Sequence, residues 1–254
     1  MENRVKRDKI AIVLIEPQIP ENIGGAARAM NNMGFKRLLI VKPKNNDLER
    51  IKKTATGHSI EILEKMEIYN DIAEALGSFQ YIAGTTARIG AMRPAIKNPR
   101  TLAEDLVEIS QDNSVAILFG PEDRGLSNEH LGYCNTTIKI PTSDFSSLNL
   151  AHAVMVLCYE LFIASQEKTE RNVPRLANRF ELEGMYVHVK ELLTKIGFLD
   201  HQNHERWMLS IRRLCSRFPL RAREVQTLRG ICRQVDWYTD QAAKNKKEEE
   251  CGKE

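Results

Sequence analysis

Residues 10–30 read Ile10-Ala11-Ile12-Val13-Leu14-Ile15-Glu16-Pro17-Gln18-Ile19-Pro20-Glu21-Asn22-Ile23-Gly24-Gly25-Ala26-Ala27-Arg28-Ala29-Met30. The first six residues form an apolar run rich in β-branched side chains, the signature of a buried strand. Pro17 and Pro20 break it, and a helix follows from Asn22 to Met33, stopped by Gly34. The same alternation recurs downstream. Leu38–Val41 is a strand ended by Pro43, and Leu48–Thr54 a helix. Ile72–Leu76 is a helix stopped by Gly77, and Tyr81–Thr86 a strand leaving into a polar turn. Leu102–Ile109 is helical, Val115–Phe119 a buried strand, Thr137–Ile140 a strand closed by Pro141, and Leu148–Ala164 a long helix. Strands alternating with helices give an α/β domain with a mostly parallel sheet. Ligands of such sheets bind where strands end and loops begin.

After Ala164 the character changes. The expected organisation is an α/β domain over 1–165, a polar linker over 166–175 that contains Pro174, a small all-α region over 176–243, and a charged, disordered tail over 244–254. Helices are expected at Met185–Ile196, around Trp207, Ile211, Leu214 and Phe218, and around Val225, Leu228, Cys232 and Val235. The net charge is only +3, but it is unevenly spread: between Arg206 and Arg233 stand eight arginines, no lysine and one acid, Glu224. That is a local basic face, suited to phosphate. Its plainer meaning is a solvated helix surface.

The five cysteines are scattered and odd in number, with no C-x-x-C pair, which argues against a disulfide framework or a zinc site. No histidine pattern has metal-ligand spacing. No apolar run approaches membrane-spanning length. A soluble cytoplasmic protein with no metal and no membrane partner is expected. The glycine fingerprints of dinucleotide-binding and P-loop proteins are missing.

Three segments carry the chemistry. In the first, Gly24, Gly25, Ala26 and Ala27 permit close approach of a backbone or ligand, and Arg28 projects from the helix; a Gly/Ala helix packed tightly on the sheet explains them equally well. The second is Leu118-Phe119-Gly120-Pro121-Glu122-Asp123-Arg124-Gly125-Leu126-Ser127-Asn128-Glu129. Gly120 permits a sharp exit from the strand, while Ser127 and Asn128 suit a helix cap with Glu129 in the first turn. The third is Ile140-Pro141, then Ser146-Ser147-Leu148-Asn149-Leu150-Ala151, where Ser146 or Ser147 would by default cap the next helix. Thr85, Thr86 and Ala87 present small polar groups at the same edge.

Together, in this order and spacing, the segments resemble the three motifs of SpoU-type SPOUT RNA methyltransferases. Within them the chain is similar to the bacterial enzymes that methylate a tRNA ribose 2′-hydroxyl at position 32. Asn203-His204-Glu205-Arg206, Ile211-Arg212-Arg213-Leu214 and Arg223-Glu224-Val225 resemble the helical extension of that subgroup. The resemblance implies a deep trefoil knot and a homodimer. It implies S-adenosylmethionine bound by Thr85, Thr86, Ala87, Gly120, Ile140, Ser146, Ser147 and Leu148. It makes Arg28 the central catalytic residue, with Glu122 orienting it and Ser147 and Asn149 shaping the acceptor site. Asn22, Arg88, Arg93, Arg212, Arg213, Arg223 and Arg229 become RNA contacts. The rival readings are a ribosomal RNA methyltransferase and a non-catalytic RNA-binding protein of the same fold.

Overall fold

A computed structural model describes residues 4–87, 96–166, 174–199, 204–216 and 218–251, with side chains up to residue 241. The chain divides into two compact units, Met1–Leu176 and Ala177–Glu254.

In the first unit, seven strands form one sheet: β1 (Ile10–Ile15), β2 (Arg37–Val41), β3 (Glu67–Tyr69), β4 (Tyr81–Thr85), β5 (Ile96–Lys97), β6 (Val115–Phe119) and β7 (Thr136–Ile138). Their order is β3-β2-β1-β6-β4-β7-β5, and every pair is parallel. The interior strand β1 is buried along its whole length. Its alternate residues serve two cores, as a sheet covered on both faces requires.

Ile10, Ile12 and Leu14 pack with Ile23, Ala26 and Met30 of α1 (Pro20–Asn32). The same core holds Ile51 of α2 (Leu48–Thr54), Ile62 and Leu63 of α3 (Ile60–Glu64), Leu102 and Leu106 of α5 (Pro99–Ile109), and Leu157 and Leu161 of α7 (Leu150–Ala164). Ala11, Val13 and Ile15 face the other way, onto Leu76 of α4 (Ile72–Leu76) and Leu131 of α6 (Asn128–Leu131).

The buried strands thus lie where their apolar runs put them. The edge strands β3 and β5, and the short α3, are additions to the sequence reading. β3 has three residues with Ile68 exposed, and β5 has two with Ile96 exposed, too few for a periodicity to show. Pro20, read as a breaker, is the first residue of α1, a position where its missing N–H costs nothing and its fixed φ suits the helix.

α1 sits unusually close to its neighbours. A Cβ on Gly24 would fall 2.0 Å from the Ile51 carbonyl oxygen and 2.3 Å from Thr54 Oγ1 of α2, and one on Gly25 would fall 3.0 Å from Ala151 Cβ of α7. The two glycines therefore serve helix–helix packing, not a ligand.

The second unit contains α8 (Arg179–Lys195), α9 (His204–Ser216) and α10 (Ala222–Cys251). Its core joins Ala177, Met185, Tyr186, Leu199, Met208 and Val225. α8 starts at Arg179, ahead of the apolar pattern, because Asn178 and Glu181 form a reciprocal capping box. α10 continues to Cys251, so the stretch expected as a disordered tail from residue 244 is helical to that point. Its sequence of Ala, Lys, Glu and Gln favours helix even without an apolar face.

Gly24→Ala should lower the unfolding free energy by roughly 1–3 kcal/mol through overpacking against a backbone carbonyl, despite alanine's better helix propensity. Gly230→Ala on α10, where a Cβ would meet nothing closer than Arg233 Nη2 at 3.8 Å, should leave stability equal or higher. Urea unfolding of the two variants followed by circular dichroism checks the contrast.

Candidate active site

The C-terminal ends of β6, β4 and β7, adjacent in the sheet, open into a cavity of about 440 Å³, a size suited to a small molecule. Thr85, Thr86 and Ala87 contribute from the end of β4, and Phe119, Gly120 and Leu126 from β6 and its loop. Ile138 and Ile140 follow from β7, and Ser146, Ser147 and Leu148 from the segment before α7. All eight residues expected to bind a cofactor line this one cavity. Thr85 Oγ1 donates to the Leu118 carbonyl at 2.9 Å, and Thr86 N–H to the Ile138 carbonyl at 2.8 Å, so the strand ends are fixed to one another.

The wall after β6 is a tight loop. Gly125 has φ +69°, and its N–H donates to the Pro121 carbonyl at 2.8 Å. A Cβ on Gly120 would fall 2.2 Å from the Gly125 carbonyl carbon, so only glycine lets the loop fold onto its own start. Ser127 caps α6: its Oγ accepts from His130 N–H at 3.1 Å, while His130 Nδ1 faces Ser127 N–H at 3.3 Å. Burial pushes the His130 imidazole below the usual histidine range. Asp123 is held below the usual carboxylate range by a hydrogen bond from the Gln18 side chain and by the charge of Arg124.

A polar relay joins the three sequence segments. Glu122 accepts from Gln18 N–H at 2.9 Å, from Ile19 N–H at 3.2 Å and from Asn22 Nδ2 at 2.8 Å. Asn22 Oδ1 in turn accepts from Asn149 Nδ2 at 2.8 Å. Asn149 Oδ1 caps α7, accepting from Ala151 N–H at 2.9 Å and His152 N–H at 3.4 Å.

This arrangement corrects several expectations. Glu122 orients the N-terminus of α1, not Arg28, which lies roughly 9 Å beyond Asn22 along the helix axis. Asn22 is buried and its amide bonds Glu122 and Asn149, so it links the three segments. The cap of α7 is Asn149, which leaves Ser146 and Ser147 to the cavity. Arg28 is exposed and makes no hydrogen bond or ion pair among the described residues. It stands one turn beyond Gly25, on the side of α1 that meets α7.

In the second unit, Arg212 bonds Glu183 Oε1 at 2.6 Å and lies 4.4 Å over the Tyr186 ring, so it holds α9 to α8. Arg213, Arg223 and Arg229 are exposed. Arg88 and Arg93 lie outside the described residues. The sequence reading misses Gln18 and Ile19, whose main-chain N–H groups hold Glu122, and Pro121, whose carbonyl closes the loop onto Gly125.

Comparison with known proteins agrees with this geometry. The profile of the SpoU rRNA methylase family matches residues 9–159, and that of the TrmJ C-terminal domain of tRNA methyltransferases matches residues 180–248. The tRNA (cytidine/uridine/adenosine-2′-O-)-methyltransferase TrmJ of Pseudomonas aeruginosa is 36% identical over 238 residues, spanning 88% of this chain and 92% of that protein. The crystal structure of TrmJ from Z. mobilis ZM4 aligns with TM-score 0.76 at 30% identity, covering 89% of this chain and 98% of that one. A putative methylase family protein of Neisseria gonorrhoeae aligns with TM-score 0.65 at 31% identity, over 72% of this chain and 94% of its own.

Asn22→Asp keeps the shape of the relay but replaces a donor by a second carboxylate beside Glu122. It should lower stability at pH 7 by roughly 2–3 kcal/mol. Like charges raise the folded-state pKa of the pair, so the deficit against wild type should shrink as pH falls and one carboxyl takes a proton. Unfolding curves at about pH 7.5 and pH 5 measure this.

With two family profiles matching in tandem, a three-segment relay and a cavity at the ends of β6, β4 and β7, the chain belongs to the SpoU methylase family and is a methyltransferase carrying a TrmJ-type C-terminal domain.

Proposed function

We propose that this protein methylates a ribose 2′-hydroxyl of tRNA, at nucleotide 32 of the anticodon loop, with S-adenosylmethionine as donor. The observation that carries the reading is the convergence of the eight expected cofactor residues on one cavity, a few residues from the relay that fixes α1 and α7. The cavity suits the donor. Phe119, Ile138 and Leu150 supply apolar surface, Thr85, Thr86, Ser146 and Ser147 supply hydroxyls, and Gly120 lets backbone approach closely. When bound, the cofactor supplies a methyl group activated on a sulfonium.

The chain's own task is to place the acceptor in line and to stabilise charge on its oxygen. Arg28, exposed and without an ion-pair partner among the described residues, is the cation this reading assigns to the task. A guanidinium stays protonated, so it does not take the hydroxyl proton. Its planar fork grips an adjacent phosphate and stabilises the developing alkoxide. Asn149 Nδ2 spends one proton on Asn22 and retains a second for the acceptor, beside the Ser147 hydroxyl. The names of the relatives, tRNA 2′-O-methyltransferases TrmJ, support tRNA and not ribosomal RNA as the substrate of this chain.

Two further parts belong to the same reading. β7 inserts between β4 and β5, strands that precede it in sequence, which supports the trefoil knot. Exposed Phe145 and Leu148 beside the site, with Tyr159 and Ile163 one turn apart on α7, support a homodimer built on this face.

The direct test is to incubate unmodified tRNA with the pure protein and S-adenosylmethionine, with EDTA present, and to map the methylated nucleotide. A 2′-O-methyl group at nucleotide 32 is expected. Label on a base, or none on tRNA, refutes the reading. Arg28→Ala should reduce single-turnover methyl transfer at least about a hundredfold, as expected for a lost charge-stabilising group, while calorimetry shows cofactor affinity retained. Arg28→Lys should also be poor, since a point charge does not reproduce the fork.

The basic extension makes a separable prediction. Arg213→Ala and Arg223→Ala should weaken tRNA binding and each lower the slope of log affinity against log salt by roughly 0.7–0.9. Arg212→Ala should instead lower the melting temperature, because its guanidinium is already engaged within the second unit. Filter binding across a salt series, with melting curves, separates the two classes.

A further inference from the structure

Two ties join the segment after β1 to the cavity loop after β6. The first is Glu122 on the Gln18 and Ile19 N–H groups. The second is an ion pair between Glu16 and Arg124, whose Nη1 also lies 3.5 Å from Asp123 Oδ2. Arg124 lines the cavity, and nothing in the proposed chemistry uses this pair.

The backbone at Glu16 makes the pair informative. Glu16 has φ +47°, in the left-handed region that glycine occupies without penalty and other residues do not. It also precedes Pro17, which favours extended backbone. Lys42, just after β2, has φ +48°, so a left-handed exit is how both strands end. That geometry explains the turn but not the glutamate, for which glycine would be the relaxed choice. What Glu16 adds is its carboxylate, less exposed than its partner's guanidinium at 24% against 49%. Strain kept in place by a specific contact points to a role for that contact.

We infer that Glu16 and Arg124 are a positioning pair for cofactor binding: the Glu16 carboxylate, aimed by its left-handed backbone, holds the loop 120–126 in the shape that forms the cavity wall. The inference rests on the cofactor reading above, and it makes neither residue catalytic.

The test uses the full chain, titrated calorimetrically with S-adenosylmethionine and assayed on tRNA. Glu16→Gly removes the strain and the carboxylate together. It should melt at or above the wild-type temperature yet bind the cofactor about two- to fivefold more weakly, the range expected for losing a half-exposed ion pair. KM for the cofactor should rise by the same factor, with kcat at saturating cofactor unchanged. Arg124→Ala should show the same weakening without the gain in melting temperature. The swap of Glu16→Arg with Arg124→Glu should recover most of the affinity. Wild-type cofactor affinity in Glu16→Gly overturns the inference, as does a weakening that tracks a fall in melting temperature and is not restored by the swap. No cofactor binding by the wild-type protein overturns the cofactor reading itself, and the inference with it.

Discussion

The first unit depends on one buried amide. Asn22 lies near the start of α1, 100 residues before Glu122 and 127 before Asn149, and its side chain bonds both. A buried amide is costly unless both its donor and its acceptor are satisfied, so the three segments are held to one relative placement. Glu122 reinforces it. Its carboxylate sits at the N-terminus of α1, where the helix dipole favours negative charge, and it takes N–H groups ahead of the first turn. Asn149 does the same for α7 from its cap position. Two helix N-termini thereby converge on the sheet edge that forms the cavity. Gly24 and Gly25 complete the geometry by letting α1 approach α2 and α7 to distances that side chains would block.

Much of this is legible in the sequence, for a physical reason. Strands buried on both faces are mostly apolar, so β1 and β6, buried at every position, announce themselves as short apolar runs, and β2 and β4 nearly so. The cavity residues are legible through the resemblance of three motifs to those of SpoU-type enzymes, and they lie just past the strand ends where such sheets bind ligands. What escapes is of two kinds. Elements of two or three residues, such as β3 and β5, carry too little sequence to show a period. Pairings between distant side chains cannot be read from types alone. Glu122 and Arg28 are opposite charges in successive motifs, and joining them is reasonable. The structure gives Glu122 to main-chain N–H groups instead, because the helix start is nearer and has unsatisfied donors.

The arginines show most clearly what structure adds to sequence. Arg50 grips Glu21 with two bonds of 2.8 and 2.9 Å, Arg124 pairs with Glu16, and Arg212 is shared between Glu183 and the Tyr186 ring. Each of these would have to surrender a partner to hold a phosphate, and a guanidinium that exchanges one anion for another gains little. Arg28 on α1, and Arg213, Arg223 and Arg229 in the second unit, have no such partner among the described residues. A phosphate offered to them meets a donor fork whose only competitor is water. The count of basic residues in the chain therefore overstates its RNA-binding capacity, while the position of the unpaired ones sharpens it. Arg28 stands on α1, on the side that meets α7, and the other three stand on helices that no part of the cavity requires. In the function proposed above, catalytic stabilisation and substrate retention fall to different arginines, in units that fold around separate cores.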